Sequence, residues 1–215
     1  MNTRSAPSDR TRIRRLAELA SYEQASLHAV IDAAHLCHIA FDDGKGTHCI
    51  PTACWRQDDY LYIHGSNGGR LTRLLTSGVQ ACITITHLDG LVLARSAFNH
   101  AMNYRSAMIY GCFERVTDEA DKHQALALFM EKLAPGRQTQ VRPGSIKEMA
   151  ATTVMRIALD EAAVKIRTGG PVDDAEDMDI PAWAGVLPLV LTPATPVADE
   201  YCRVEAPDYV RNWAR

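Results

Sequence analysis

Residues 36–66 read LCHIAFDDGKGTHCIPTACWRQDDYLYIHGS, and this stretch decides the fold. It contains three runs rich in apolar and β-branched residues, which predict strands at 35–41, 47–55 and 60–64. Two turn signals separate these runs, DDGKG at 42–46 and DD at 58–59. Connections this short join antiparallel strands, because a parallel pair needs a crossover of about a dozen residues or more. The stretch therefore predicts an antiparallel meander.

The rest of the chain continues this pattern of strands joined by turns. Further strands are predicted, in chain order, at 79–87, 91–98, 104–116, 152–159 and 163–166. Asp89-Gly90 is a hairpin dipeptide and predicts the turn between the first two of them. Six strands before residue 117 and two further candidates after residue 151, with helices at the edges, favour a mainly β, α+β fold built as a small antiparallel barrel.

Two helices are predicted outside the strands, in addition to one or two helical turns at 71–75. Ser21 and Gln24 match a capping box, which predicts a helix start just ahead of the first strand. The apolar residues of this helix share the spacing of one helical face: Leu27, Val30, Ile31 and Ala34. A second helix is predicted to begin at Thr117 or Asp118.

The composition is that of an ordinary globular protein. The chain has 215 residues, of which 47% are hydrophobic and 23% charged, and its net charge is −3. This length suits one domain with a full apolar core. We divide the chain into a flexible basic leader at 1–20, a barrel domain at 21–170 and an acidic, proline-rich arm at 171–215. We expect the arm to pack on the barrel or on a second copy of the chain.

Several classes of function are disfavoured by the same data. A mild negative charge disfavours nucleic-acid binding, which needs a basic face. The longest apolar stretch, 181–197, contains four prolines and cannot form an ordinary membrane-spanning helix. Six scattered cysteines and no secretion signal predict free thiols in the cytoplasm. The eight histidines show no metal-binding spacing, so no metal site is predicted.

Two segments have the composition of a binding site. The first is 65–70, GSNGGR, a glycine-rich loop that opens a helix and could hold a phosphate on backbone N–H groups and on Arg70. The alternative is a plain strand-to-helix connection. The second is 95–106, RSAFNHAMNYRS, which carries eight Arg, Ser, Asn, His and Tyr side chains between two apolar runs. A bound polar ligand or a hydrogen-bonded loop would satisfy these groups.

These segments resemble the pyridoxamine 5′-phosphate oxidase-like, FMN-binding split-barrel superfamily, and within it the branch of nitroimidazole-resistance proteins. The resemblance spans most of the chain, and no single piece of it is specific. The matching pieces are 38–41 (HIAF), 50–52 (IPT), 61–66 (LYIHGS), 89–98 (DGLVLARSAF), 103–106 (NYRS), 135–137 (PGR), 165–169 (KIRTG) and 183–185 (WAG).

The resemblance implies a six-stranded Greek-key barrel that forms a homodimer with two FMN sites at the interface. It places Ile50, Pro51 and Thr52 along the flavin ring. The other residues it assigns to the cofactor are His64 and Ser66 near the phosphate, Arg70 on the phosphate, Arg105 and Ser106 on a central strand, and Trp183 donated by the other subunit. Ser106 stands where the family has a longer Gln.

The function implied is FMN-dependent reduction of a small molecule, nitro compounds among them, with electrons from a nicotinamide donor. His64, His100 and Tyr104 are candidate proton donors, and the alternative role for each is a hydrogen bond to cofactor or backbone. A non-catalytic flavin- or haem-binding protein is a second hypothesis. Oxidation of pyridoxamine phosphate is a third, disfavoured because 201–208, YCRVEAPD, lacks the family's substrate motif.

Overall fold

The computed structural model describes residues 5–214, and its strands form two sheets in which every pairing is antiparallel. The strands described are β1 (Ala20–Ser21), β2 (Leu36–Asp42), β3 (Thr47–Ala53), β4 (Trp55–Gln57), β5 (Tyr60–Ser66), β6 (Gln80–Leu93), β7 (Ala101–Cys112), β8 (Glu114–Arg115), β9 (Thr152–Ala158), β10 (Ala162–Arg167) and β11 (Gly185–Pro188). The predicted antiparallel α+β fold is confirmed.

The large sheet has the order β1-β10-β7-β6-β2-β3, and β11 also pairs with β6. β7 takes one edge of β6, while β2 and β11 share the other edge, β2 at residues 81–84 and β11 at residues 90–93. The small sheet has the order β4-β5-β9-β8. β3 therefore ends the large sheet, and one of its edges has no strand partner among the described residues.

The core lies between the two sheets. One buried cluster combines large-sheet side chains with side chains from β5 and β9 of the small sheet. Its fully buried members include Ile39, Ile83, Ile109, Leu61, Ile63, Met155 and Ile157. Burying each such side chain contributes about 1.5–3 kcal/mol, so this shared cluster is the main stabiliser of the sheet pair.

Five α-helices surround the sheets: α1 (Gln24–Asp32), α2 (Arg70–Leu75), α3 (Glu119–Leu133), α4 (Ile146–Ala151) and α5 (Asp208–Arg211), counted over the described residues. The apolar stripe of α1 is confirmed, because Leu27, Val30 and Ile31 are buried. The capping box predicted at Ser21 is wrong. Ser21 lies in β1 opposite Val164, so its backbone belongs to the sheet, and its hydroxyl donates to the hydroxyl of Ser26 at 3.0 Å.

The hairpin turn predicted at Asp89-Gly90 is also wrong. β6 continues through this dipeptide for 14 residues, with an irregularity in its pairing between Leu88 and Gly90. The chain turns only after Leu93, through a 3₁₀ turn at Ala97–Asn99. The β-bulge explains the sequence signal, because Asp89 is the extra residue and Gly90 lets the backbone of β11 approach closely.

The leader and the arm both contact the large sheet. Arg10 forms an ion pair with Glu161 and lies over the ring of Tyr110 at 4.8 Å, and Lys165 Nζ donates to the carbonyl of Arg15 at 2.8 Å. In the arm, β11 pairs with β6. The division of the chain at residues 20 and 170 stays a prediction. No helix within residues 5–214 combines the length and apolarity needed to cross a membrane.

Candidate functional site

A tight loop joins β5 to α2 and presents Arg70. β5 ends at Ser66, and α2 begins at Arg70 directly after Gly69. The Gly69 amide donates to the Ser66 carbonyl at 3.0 Å. A Cβ atom at Gly69 would lie 3.1 Å from that carbonyl oxygen and 3.3 Å from the Ser66 hydroxyl. Glycine is therefore favoured here by space, and the loop holds the strand end and the helix start close together.

Two residues of the β2–β3 hairpin hold the Arg70 side chain. Arg70 Nη2 donates to Asp43 Oδ2 at 2.5 Å and to His48 Nε2 at 2.8 Å. The Arg70 side chain is 58% exposed and that of Asp43 only 9%. The Arg70 hydrogen bond lowers the pKa of Asp43 to about 2, helped by the Lys45 amide. His48 Nε2 also lies 3.2 Å from Asp43 Oδ2, so Arg70, Asp43 and His48 form one polar cluster.

The edge strand β3 forms the wall beside this group. Ile50 and Thr52 pair with Ile39 and Cys37, whose side chains are buried, so both face the space between the sheets. Pro51 faces the opposite side. The unpaired edge of β3 leaves backbone donors and acceptors for a ligand. The structure thus brings Arg70 and β3 together through His48, with Ser66 at the loop that precedes Arg70.

His64 lies elsewhere, on the face of the small sheet that is turned away from the core. Its ring packs against Phe129 of α3 at 4.9 Å and against Trp55 at 5.8 Å. Nδ1 of His64 is buried and has no hydrogen-bond partner in the described chain. Burial lowers the pKa of His64, because the low-polarity surroundings disfavour the imidazolium. His64 is therefore neutral at physiological pH.

Arg105 and Ser106 are neighbours on β7 and point to opposite faces of the large sheet. Arg105 forms a two-pronged ion pair with Asp89 at 2.9 and 2.8 Å, and this lowers the pKa of Asp89. Ser106 donates to the Lys165 carbonyl at 3.3 Å. It also lines a cavity of about 320 Å³ with the leader residues around Arg12. Arg105 and Ser106 therefore contact different groups, on opposite faces of the large sheet.

The polar segment 95–106 is satisfied by the protein itself. Arg95 pairs with Asp173 at 2.8 Å, and Asn103 donates to the Gly169 carbonyl at 3.0 Å. His100 Nδ1 lies 2.9 Å from the Ser96 carbonyl. Of the two alternatives for this segment, the described residues show the hydrogen-bonded loop. Tyr104 is half-buried on the outer face of the sheet, on the opposite side of β7 from Arg105.

Trp183 precedes β11 and is 64% exposed. Its indole lies against Gly185, where a Cβ atom would be 2.9 Å from the ring. Gly185 pairs with Leu93 at the end of β6, so Trp183 lies near the β6–β7 turn that carries His100. Trp183 and Arg70 therefore lie at different places in the fold, Trp183 near the β6–β7 turn and Arg70 at the β5–α2 loop.

Sequence reasoning missed the acidic partners of these arginines. Asp43 and Asp89 were interpreted as turn residues, and Asp173 as part of an acidic run. For Asp43 and Asp89 the turn signals contained a hint, because both residues lie in predicted turns, whereas the acidic run around Asp173 gave none. The pairing with Arg70, Arg105 and Arg95 depends on strand register, which no local pattern gives.

The comparison with known families agrees with this architecture. The profile of the pyridoxamine 5′-phosphate oxidase family matches residues 23–166, which cover both sheets except β1 and β11. The chain belongs to the pyridoxamine 5′-phosphate oxidase family. The resemblance identified in the sequence is therefore confirmed, and the two-sheet fold is the split barrel of this family.

Two solved structures match nearly the whole chain. The flavocytochrome Anf3 from Azotobacter vinelandii is 40% identical, with a TM-score of 0.91 over 96% of this chain and 97% of that one. An FAD- and haem-binding protein from Mycobacterium smegmatis is 32% identical, with a TM-score of 0.86 over 91% of this chain and 97% of that one.

A third structure shares the fold alone. It is a protein from Bacteroides thetaiotaomicron, provisionally described as a 5-nitroimidazole antibiotic resistance protein. The identity is 21% and the TM-score 0.58, over 68% of this chain and 86% of that one. No curated protein matches this chain in sequence.

Proposed function

We propose that this protein is a flavin-binding redox protein that also binds haem. The observation that carries the flavin half is Arg70, held at the tight β5–α2 loop beside the free edge of β3. The haem half is supported by the two relatives at 40% and 32% identity, whose names include a flavocytochrome and an FAD- and haem-binding protein. Both relatives align over more than nine-tenths of this chain, so these properties carry over as a hypothesis for the whole of it.

The residues at the Arg70 corner fit a flavin phosphate. Only Nη2 of the guanidinium has hydrogen-bond partners within residues 5–214, so the remaining N–H donors stay available to phosphate oxygens. Ser66 adds a hydroxyl at the same loop. Asp43 and His48 keep the guanidinium in place without using its outer donors. In this proposal Arg70 and Ser66 bind the phosphate, and the backbone of Ile50–Thr52 lines the ring.

A bound flavin supplies hydride and single-electron transfer, and the protein contributes binding, orientation and electrostatics. Arg105 on the inner face, Ser106 on the outer face and Trp183 beyond β6 remain proposed cofactor contacts. His64, buried and neutral, is a hydrogen-bonding residue in this proposal rather than a proton donor, because its lowered pKa leaves little imidazolium at pH 7. Tyr104 remains a candidate donor to a reduced substrate, whereas Nδ1 of His100 lies 2.9 Å from the Ser96 carbonyl, which matches the alternative role of a hydrogen bond to backbone.

The proposed flavin is either FMN or FAD. The sequence favours FMN, because it has one phosphate-type loop and no dinucleotide fingerprint. The mycobacterial relative is named for FAD. We retain the prediction of FMN, with a nicotinamide electron donor, a small-molecule acceptor and a cytoplasmic homodimer as the accompanying hypotheses.

One preparation tests these statements. The absorption spectrum of the protein purified from cells is recorded. Its chromophores are then released by acid and identified by chromatography. We expect flavin bands together with a haem Soret band, and bleaching of the flavin bands when a nicotinamide donor is added without oxygen. A colourless protein that takes up no added flavin would overturn the proposal. Flavin without haem would support flavin binding and contradict haem binding.

A further inference from the structure

We propose that His100 is the axial ligand of the haem iron and that the apolar surface around it is the haem site. This inference rests on the proposed function, because it needs a protein that takes up haem. It identifies the residue and the surface, which the relatives' names do not.

The imidazole of His100 has the hydrogen-bonding arrangement of an iron-ligating histidine. Its Nδ1 lies 2.9 Å from the Ser96 carbonyl, which only accepts, so Nδ1 carries the proton. Nε2 is left as a lone pair on an exposed side chain. Iron-ligating histidines usually donate their other ring N–H to a carbonyl or carboxylate, because this fixes the tautomer and the ring orientation.

Other histidines of the chain lack this arrangement. Nε2 of His48 lies 2.8 Å from Arg70 Nη2 and 3.2 Å from Asp43 Oδ2, and Nε2 of His87 lies 2.9 Å from the Val30 carbonyl. Nε2 of His28 is buried and lies 3.4 Å from Asp59. His64 has a buried Nδ1 with no acceptor to fix its tautomer. Within residues 5–214, His100 is the histidine with a backbone-fixed tautomer and a free Nε2.

The surface beside His100 is apolar and continuous across three strands. His100 is extended and directly precedes β7, so strand alternation places its side chain on the same face as Met102. Met102 pairs with Leu91 of β6, and Leu91 pairs with Leu187 of β11, which gives one row of apolar side chains. All three are exposed, Met102 at 53%.

Aromatic side chains extend this row. Gly185 pairs with Leu93, and it lies two residues before Leu187 in β11. A Cβ atom at Gly185 would therefore point to the same face as the Leu187 side chain. The indole of Trp183 lies in that direction, which places it on this face as well. Phe98, in the turn just before His100, is 93% exposed. An exposed apolar surface of this kind, next to one available imidazole, has the chemistry that a flat apolar macrocycle needs.

Arg167 ends β10, and its guanidinium reaches the side chain of Asn103, which lies on the opposite face of β7 from Met102. The Arg167 guanidinium bonds only neutral oxygens in the described chain, those of Asn103, Gly169 and Gly170. Its charge is therefore not compensated by a carboxylate there, in contrast to Arg95 and Arg105.

The test compares His100→Ala, His100→Met and the wild type by haemin titration of the haem-free protein, followed at the Soret band. We expect His100→Ala to lose the wild-type Soret spectrum and to regain it when free imidazole is added. His100→Met should bind haem with a shifted spectrum, because a thioether replaces the imidazole. His123→Ala, which removes an exposed histidine from α3, is the matched control and should behave as wild type.

The outcomes separate the inference from the proposed function. If the wild type binds no haem, the haem half of the proposed function fails and takes the inference with it. If the wild type binds haem and His100→Ala shows the same spectrum and affinity, only the inference fails. Equal flavin content and equal thermal unfolding in all variants would show that a lost Soret band reports the ligand and not the fold.

Discussion

At the scale of single residues, Arg70 is the proposed ligand of the flavin phosphate. Charge-assisted hydrogen bonds to phosphate contribute roughly 1.5–3 kcal/mol. We therefore expect Arg70→Ala to weaken FMN or FAD binding by about tenfold to a hundredfold, measured by quenching of flavin fluorescence. Riboflavin lacks the phosphate, so its affinity should not change.

Arg73 provides the matched control for this prediction. It lies one turn further along α2, is exposed, and forms no ion pair in the described part of the chain. Arg73→Ala should leave the affinity for all three flavins as in the wild type. An equal loss for riboflavin would show that Arg70 acts on the ring, and unchanged FMN affinity would move the phosphate site, with Lys165 and Arg167 as the next candidates.

The sequence could predict Arg70 but not its partners. A glycine-rich loop that opens a helix is a local pattern, so GSNGGR at 65–70 indicated the residue directly. Asp43 and His48 lie 27 and 22 residues away along the chain. They reach Arg70 only because the β2–β3 hairpin folds beside the β5–α2 loop. Tertiary contacts of this kind leave no trace in local composition.

At the scale of elements, the β-bulge in β6 shows how tertiary pairing overrides a local signal. Asp89-Gly90 has the sequence of a tight hairpin turn. A chain turning there could not pair residues 90–92 with β7 and residues 90–93 with β11, as β6 does. The Asp89 side chain pairs with Arg105 at 2.8 Å, so the predicted turn residue anchors the bulge instead.

Gly90 fixes the docking of the arm. A Cβ atom there would lie 3.0 Å from the Leu187 carbonyl and 3.1 Å from Val186 Cγ1, both in β11. Gly90→Ala should therefore displace β11 and speed proteolytic cleavage after residue 170, measured by limited proteolysis and mass spectrometry. Gly68→Ala is the control, because a Cβ atom at Gly68 meets no atom within 4 Å. Equal cleavage rates in both variants would contradict this role of β11.

At the scale of the whole molecule, the sequence predicted antiparallel strands but not how they divide between sheets. Period-two alternation and short turns indicated the strands in 36–66. The chain nevertheless crosses from the large sheet to the small one between Ala53 and Trp55. Pairing β5 with β9 joins strands about 90 residues apart, and such register comes from the shared core rather than from local pattern.

The outer face of the large sheet exposes more apolar surface than a monomer usually keeps. Outside the proposed haem surface, the exposed large side chains that strand alternation places on this face are Leu36, Leu88 and Met108. A second copy of the chain would cover this part of the face, and a two-fold dimer is the commonest arrangement of that kind. We therefore predict a homodimer in solution, with the arm contributing to its interface.

Truncation after Gly170 tests this dimer, because it removes β11 and Trp183 from the outer face. If the flavin contacts both subunits, the dimer and the cofactor stabilise each other, so we expect the truncated protein to lose both together. Light scattering gives the mass, and absorbance gives the flavin occupancy of the same samples. A chain that ends after Leu189 keeps β11 and should retain both properties. A full-length monomer with full flavin occupancy would contradict the interface, and a truncated dimer with full occupancy would show that the arm lies outside it.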